Sequence, residues 1–338
     1  MPSRAVIIGG TGQVGLATAR RLIGDGWDVQ VVSRGATAVP DGCWHIEADA
    51  RDADGLHAIV GTDTDLLLSC VAFDALDAGC LVHAGRSAGR IVAISSASVY
   101  CDNQARTLDE AARGGFPSFS VPLTEQSPTI PPGPETYSTR KRAMEALLLG
   151  KSACPVTILR PCAIHGPESK HAREWWFVKR LLDGRAVIPL AYEGRSRFQT
   201  TSVAAIADAV VKAVAGDLPE IANVSDADSP SVVEIGRAIM AIMGVKAELV
   251  GLSDDPDFPP SHGLTPWSVS QPMIVRGAAT SATRYAEAAA PAVHWLVECV
   301  TSANWTQILP QLAAYKNAHF DYEKEDLVVI TSECIHFP

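Results

Sequence analysis

The apolar run Ala5-Val6-Ile7-Ile8 leads without alternation into Gly9-Gly10-Thr11-Gly12-Gln13-Val14-Gly15, and Val14 to Ile23 then repeats apolar residues at helical spacing. A strand with no polar face must be buried on both sides, which a parallel sheet covered by helices provides. Glycines between such a strand and a helix allow a tight turn and close backbone approach, while the helix N-terminus offers free N–H groups to a pyrophosphate. Gly9, Thr11, Gly12, Gln13, Val14 and Gly15 are therefore candidate dinucleotide contacts.

The pattern continues in the same sense. Further strands are expected at Val29 to Val32, Trp44 to Glu47, Asp65 to Cys70, Arg90 to Ser95 and Pro155 to Leu159, with helices at Ala53 to Val60 and Ala75 to Ala88. Alternating strands and helices predict an α/β chain, a doubly wound parallel (Rossmann) sheet with a smaller C-terminal substrate lobe. The dinucleotide-binding domain is expected over 1–165, interrupted by an irregular Pro- and Gly-rich loop at 102–134. Residues 166–338 are expected to form mainly the substrate lobe, with some segments returning to the sheet. Helices are expected there near Glu174 to Asp183, Ala204 to Ala215, Val232 to Met243 and Leu296 to Tyr315.

Composition narrows the function. A formal charge of −10 argues against a general nucleic-acid binder, which needs a basic face to release counterions. The eight cysteines show no paired spacing, so they read as buried thiols in a reducing compartment, and no metal site is expected. With no signal-peptide pattern and no long apolar run, the expected location is cytoplasmic and off the membrane.

Tyr137 and Lys141 stand one helical turn apart, so a phenol and an ammonium share a face. A free phenol titrates near about 10, and a neighbouring positive charge is expected to lower that value and make it a working acid. The helix bearing them is expected to end at Gly150. Ser96, at the carboxyl end of strand five, is placed to hold a substrate oxygen, with Ser98 as competitor. After strand two the chain has Ser33-Arg34 where a free ribose hydroxyl would favour an acidic residue; this points to NADP, with NAD possible. Asp49 after strand three is a candidate for the adenine amino group. Ala50, Cys70 and Val71 at the neighbouring strand ends complete that set. The cluster from Lys170 to Trp176 reads either as a cap on a substrate pocket or as a packed helix.

These residues carry a resemblance to the extended short-chain dehydrogenase/reductases of the NAD-dependent epimerase/dehydratase superfamily. The glycine loop is similar to the family's TGxxGxxG, Tyr137-x-x-x-Lys141 to its active-site pair, and Ser96 falls where the family places its serine or threonine. Arg160-Pro161-Cys162-Ala163-Ile164-His165-Gly166-Pro167 resembles the family's RPxxxxGP segment. The resemblance implies hydride transfer to or from nicotinamide, with Tyr137 exchanging the proton, Lys141 holding the ribose, and Pro161 and Ile164 near the ring. Arg197, in Gly194-Arg195-Ser196-Arg197, lies near the family's diphosphate-binding arginine. His165 stands where the family often has Tyr, and Ala97-Ser98 stand where dehydratases carry an acidic pair.

The expected activity is NAD(P)-dependent oxidoreduction or epimerisation at a secondary alcohol or ketone of a small polar molecule such as a nucleotide-linked sugar. The alternatives are NADPH-dependent reduction of a small ketone or aldehyde, and a non-catalytic dinucleotide-sensing or RNA-associated protein. The last is suggested by Arg34-Gly35, which resembles the chloroplast stem-loop-binding relatives. A homodimer is a possible assembly.

Overall fold

The computed structural model describes residues 2–35, 38–253, 262–314, 320–331 and 334–337. The chain opens with β1 (Arg4–Ile8), α1 (Gln13–Gly24), β2 (Asp28–Ser33), β3 (Cys43–Glu47), α2 (Ala53–Val60), β4 (Leu66–Ser69), α3 (Ala75–Ala84) and β5 (Arg90–Ile94). It continues with α4 (Ala111–Gly114), α5 (Tyr137–Lys151), β6 (Val156–Pro161), β7 (Ala163–His165), α6 (Trp175–Leu182), β8 (Val187–Leu190), β9 (Thr200–Ser202) and α7 (Val203–Ala215). Then come β10 (Ile221–Ser225), α8 (Val232–Met243), β11 (Glu248–Leu252), β12 (Ala279–Thr280), α9 (Tyr285–Ala288), α10 (Ala290–Ser302) and, after shorter helices, β13 (Cys334–His336).

Two compact units result. The first comprises Met1–Cys162, Val203–Ser225 and Val275–Ser281, and the second comprises Ala163–Ser202, Asp226–Ile274 and Ala282–Pro338. In the first, eight strands pair in the order β12-β10-β6-β5-β4-β1-β2-β3, every pairing parallel. This is a doubly wound Rossmann sheet. Central β1 pairs Ala5 with both Val29 and Leu66, and Ala5, Val6 and Ile7 are fully buried, as a strand without a polar face requires. Strand order reverses between β1 and β4, and a crevice opens at the carboxyl ends of strands at such a switch point. The glycine loop after β1 lies there.

The second unit holds a three-stranded sheet, β13-β11-β8, and the two-stranded pair β7-β9. Its core gathers Trp175, Trp176, Phe177, Ile235, Trp267 and Leu296. Both indoles of the Lys170 to Trp176 cluster are buried, at 2 % and 5 % exposure: Trp175 and Trp176 open the packed helix α6, while Lys170 and His171 lie exposed in the turn before it. α8 begins at a Ser231–Glu234 capping box and ends at Gly244, whose φ of 65° closes the helix in the left-handed region.

Several boundaries differ from expectation. α3 stops at Ala84 rather than Ala88, with Gly85 as its C-cap; an added Cβ at Gly85 would lie 2.7 Å from Ile91 Cδ1, so the close approach of β5 requires glycine there. α5 runs through Gly150 to Lys151 and is closed by Ser152. The stretch expected as one helix from Leu296 to Tyr315 breaks after Ser302, where Ala303 is extended and Asn304 caps the short helix Trp305–Ile308, and again at Pro310, which opens the short helix Pro310–Ala313 because it cannot continue a helix from within; Tyr315 lies outside the described residues. Among the described residues no helix is long and apolar enough to cross a membrane.

Candidate active site

The glycines of the loop serve different ends. Gly9 has φ +75°, and a Cβ on it would lie 2.3 Å from Val71 Cγ1; one on Gly15 would lie 2.4 Å from the Gly10 Cα. Packing therefore excludes any side chain at either position. At Gly12 the nearest atom to an added Cβ is the Gly9 carbonyl oxygen at 3.6 Å, an ordinary contact. Gly12 is the N-cap of α1 and brings no side-chain cap to it, so the orphan N–H groups of the first turn face a residue with no side chain. Beside them, Gln13 Oε1 is buried with no partner, an acceptor that a ligand hydroxyl or amide would satisfy. Thr11 is half-buried and Val14 buried. The loop thus fits the pyrophosphate end of a dinucleotide.

At the end of β2, Ser33 Oγ lies 2.8 Å from His45 Nε2 on β3, and Arg34 is exposed. Sequence reading did not single out His45, since a lone histidine on an edge strand carries no pattern. Asp49 is exposed and accepts the Arg51 N–H at 2.9 Å, which closes a local turn. Ala50 beside it is half-buried.

The structure brings Ser96, Tyr137 and Lys141 together. Tyr137 is the first residue of α5, whose N-terminus is fixed by a Thr136–Thr139 capping box and by Asp109, which accepts the Ser138 N–H at 2.8 Å. Lys141, one turn on, is only 2 % exposed. Its Nζ donates to the carbonyls of Ala72 at 2.7 Å and Ile94 at 2.9 Å, and lies 4.5 Å from the Phe73 ring centre. Burial lowers the ammonium's pKa to about 8, opposed by Glu145, Asp77 and Cys70. Phe73, missed from sequence, follows Ala72 at the end of β4 and stands 47 % exposed beside Tyr137.

The phenol does not titrate as expected. Burial raises Tyr137 above its ordinary value, a hydrogen bond with Ser96 pulls it back in part, and Asp109 pushes it up. The expected lowering by Lys141 is absent because its amine, at about 8, has lost its proton before the phenol titrates; its Nζ sits 5.9 Å from the Tyr137 ring centre. The free protein therefore holds a neutral phenol, a donor rather than a base. Ser96 Oγ also accepts the Ser98 N–H at 3.1 Å, and Ser98 Oγ is buried without a partner. Burial raises the Cys70 thiol to about 12, so it is inert at neutral pH. Pro161 ends β6 and is buried opposite Val224 of β10.

In the second unit, Ile164 of β7 pairs with Thr201 of β9, and His165 Nε2 lies 2.7 Å from Asp226, which also accepts the Thr200 hydroxyl at 2.7 Å. Arg197 lines a cleft of about 410 Å³ with Tyr192, Arg195, Ser196 and Ser270. Its guanidinium donates to the Ser229 carbonyl and lies 3.4 Å from Glu234. Tyr192 and Glu193 both adopt positive φ, 52° and 51°, a costly conformation for non-glycine residues that clusters at ligand sites.

A model described as the NAD dependent epimerase/dehydratase family matches residues 5–225. Among solved structures, the chain is similar to the Bordetella bronchiseptica enzyme WbmG in complex with NAD and UDP, at 18 % identity and a TM-score of 0.65, over 88 % of this chain and 95 % of that one. It is also similar to the Thermus thermophilus UDP-glucose 4-epimerase in complex with NAD (18 % identity, TM-score 0.64, 86 % and 98 % of the two chains). The Bacillus anthracis dTDP-glucose 4,6-dehydratase in complex with NAD gives 13 % identity and a TM-score of 0.65 over 90 % and 99 %. At these identities the likeness shows the fold. A search of curated protein sequences finds no match.

Two outcomes are expected. Gly15→Ala should destabilise the fold by about 1–3 kcal/mol through overpacking, whereas Gly12→Ala should cost at most about 1 kcal/mol yet weaken calorimetric NAD binding roughly tenfold, about 1.4 kcal/mol. In the second, urea unfolding is followed against pH. The folded state lowers Lys141 from 10.5 to about 8, so between those values the unfolded chain binds more protons and wild type should gain about 3 kcal/mol relative to Lys141→Met as pH rises.

Proposed function

Since the chain belongs to the NAD-dependent epimerase/dehydratase family, we propose that it catalyses hydride transfer between a nicotinamide dinucleotide and a secondary alcohol or ketone of a polar substrate, with a nucleotide-linked sugar as the favoured class. The observation that carries this reading is the buried Lys141 ammonium held beside the Tyr137 ring, with Ser96 near enough to the phenol to act on its titration. Ser96 would hold the reacting oxygen, and Tyr137, neutral in the free protein, would give it a proton as hydride arrives at carbon. When bound, the nicotinamide supplies or accepts that hydride. Lys141 is placed to hold the nicotinamide ribose and to compensate the phenolate left after proton transfer.

The substrate class is supported by the Arg197 cleft and by the names of the similar structures, which are nucleotide-sugar enzymes. Dehydration is disfavoured because Ala97 and Ser98, next to Ser96, supply neither a carboxylic acid nor a carboxylate. NADP is the favoured cofactor within the NAD type: Arg34 is exposed at the end of β2, and Ser33 is held there by His45, so a cation and a hydroxyl stand where a 2′-phosphate would lie. Arg34 also favours the second reading, an NADPH-dependent ketone reductase, in which the cofactor leaves after each turnover.

Tyr137→Phe should retain dinucleotide affinity and lower turnover by about a hundredfold or more; equal turnover would remove the phenol from the reaction. Arg34→Asp should shift the ratio of NADPH to NADH affinity toward NADH in a fluorescence titration. The same ratio in both proteins would overturn the NADP assignment.

A further inference from the structure

Behind the site, a chain of buried polar groups runs from α5 into the sheet, and none of them has a part in the chemistry above. Glu145, one turn beyond Lys141 on α5, is completely buried. Its carboxylate accepts from Arg160 Nε at 2.9 Å and Nη2 at 2.7 Å, a bidentate pair between α5 and β6, and from Arg142. Arg160 Nη1 continues to the Tyr100 hydroxyl at 3.2 Å, and that hydroxyl donates to Asn223 Oδ1 on β10 at 2.7 Å. A buried ion pair is a poor source of net stability, since desolvating two charges offsets their attraction, so its presence asks for another reason.

The geometry supplies one. The Ser95 hydroxyl donates to Glu145 Oε1 at 2.5 Å, while the carbonyl of the preceding residue, Ile94, accepts from Lys141 Nζ at 2.9 Å. Two residues one turn apart on α5 thus grip two consecutive residues at the end of β5, and the next residue is Ser96. Resting on the assignment of Ser96, Tyr137 and Lys141 above, we propose that Glu145 is a positioning residue: it locks the strand end that presents Ser96 and sets a carboxylate, shared with Arg160 and Arg142, one turn from the buried amine. Arg160, itself held by the Tyr100 hydroxyl, keeps Glu145 ionised and in place together with Ser95 and Arg142.

The groups that face Lys141 bear this out. Asp77 on α3 and Cys70 after β4 also favour its charged form; Asp77 is paired with Arg51 at 2.8 Å, as Glu145 is with Arg160 and Arg142, and the Cys70 thiol is neutral. Tyr137 is uncharged in the free protein. Glu145 is the first opposing influence on Lys141 after burial itself.

The test needs neither substrate nor cofactor. Lys141 is titrated by the NMR shift of its ¹³Cε, assigned by the signal lost in Lys141→Met. Glu145→Gln, nearly identical in shape, should move the midpoint down by about one pH unit, a tenfold change in the protonation equilibrium, with the circular dichroism of the folded chain retained. Glu145→Asp should recover most of the shift. If Glu145→Gln strands the Arg160 charge and the chain unfolds, Glu145→Gln/Arg160→Met removes both charges, and the same direction of shift is expected. An unchanged midpoint in either folded variant overturns the proposal. Wild-type protein that binds no nicotinamide dinucleotide would instead overturn the functional reading, and the titration would still decide the role of Glu145. With turnover in hand, the basic limb of the kcat profile should move by the same amount, which a purely structural loss would not produce.

Discussion

A buried ammonium is costly unless its donors find acceptors, and Lys141 gives two of its three N–H groups to the carbonyls of Ala72, just past β4, and Ile94, at the end of β5, with its charge over the Phe73 ring. These two bonds tie α5 to β4 and β5 at the edge of the crevice. Phe73, Ser96 and Tyr137 take their places around them. Burial also explains why Lys141 leaves the phenol's own titration untouched in the free protein: the amine, at about 8, gives up its charge before the phenol titrates.

The sheet explains why the parts meet at all. Glycine loop, β4 end, β5 end and the start of α5 are distant in sequence, yet all lie at carboxyl ends of strands flanking the reversal in strand order. Close packing then assigns each glycine a job. Val71 from the end of β4 fills the space a side chain on Gly9 would need, and Gly15 lets α1 press against the loop at Gly10. Gly12 alone is free of such contacts, and its bareness leaves the helix end accessible.

Much of this was legible before any coordinates. The unalternating apolar strands, the helix from Val232 to Met243, and the spacing of Tyr137 and Lys141 are local patterns, and local patterns survive into the fold. The departures differ in kind. Gly150 reads as a helix stop, and α5 ends one residue later, at Lys151, with Ser152 as its C-cap. The Trp175–Trp176 pair is ambiguous in sequence and becomes core only when α6 meets α8 and α10.

Taken alone, the amino-acid order determined the alternation of elements, the parallel sheet and the identity of the phenol, amine and hydroxyl, since these follow from periodicity, turn chemistry and residue type. Tertiary structure alone decided which carbonyls hold Lys141, that Tyr137 is a neutral donor, that His45 braces Ser33, and that Glu145 grips the strand bearing Ser96. Those are matters of burial and of contact between residues tens of positions apart, and both burial and distant contact exist only once the chain has closed on itself.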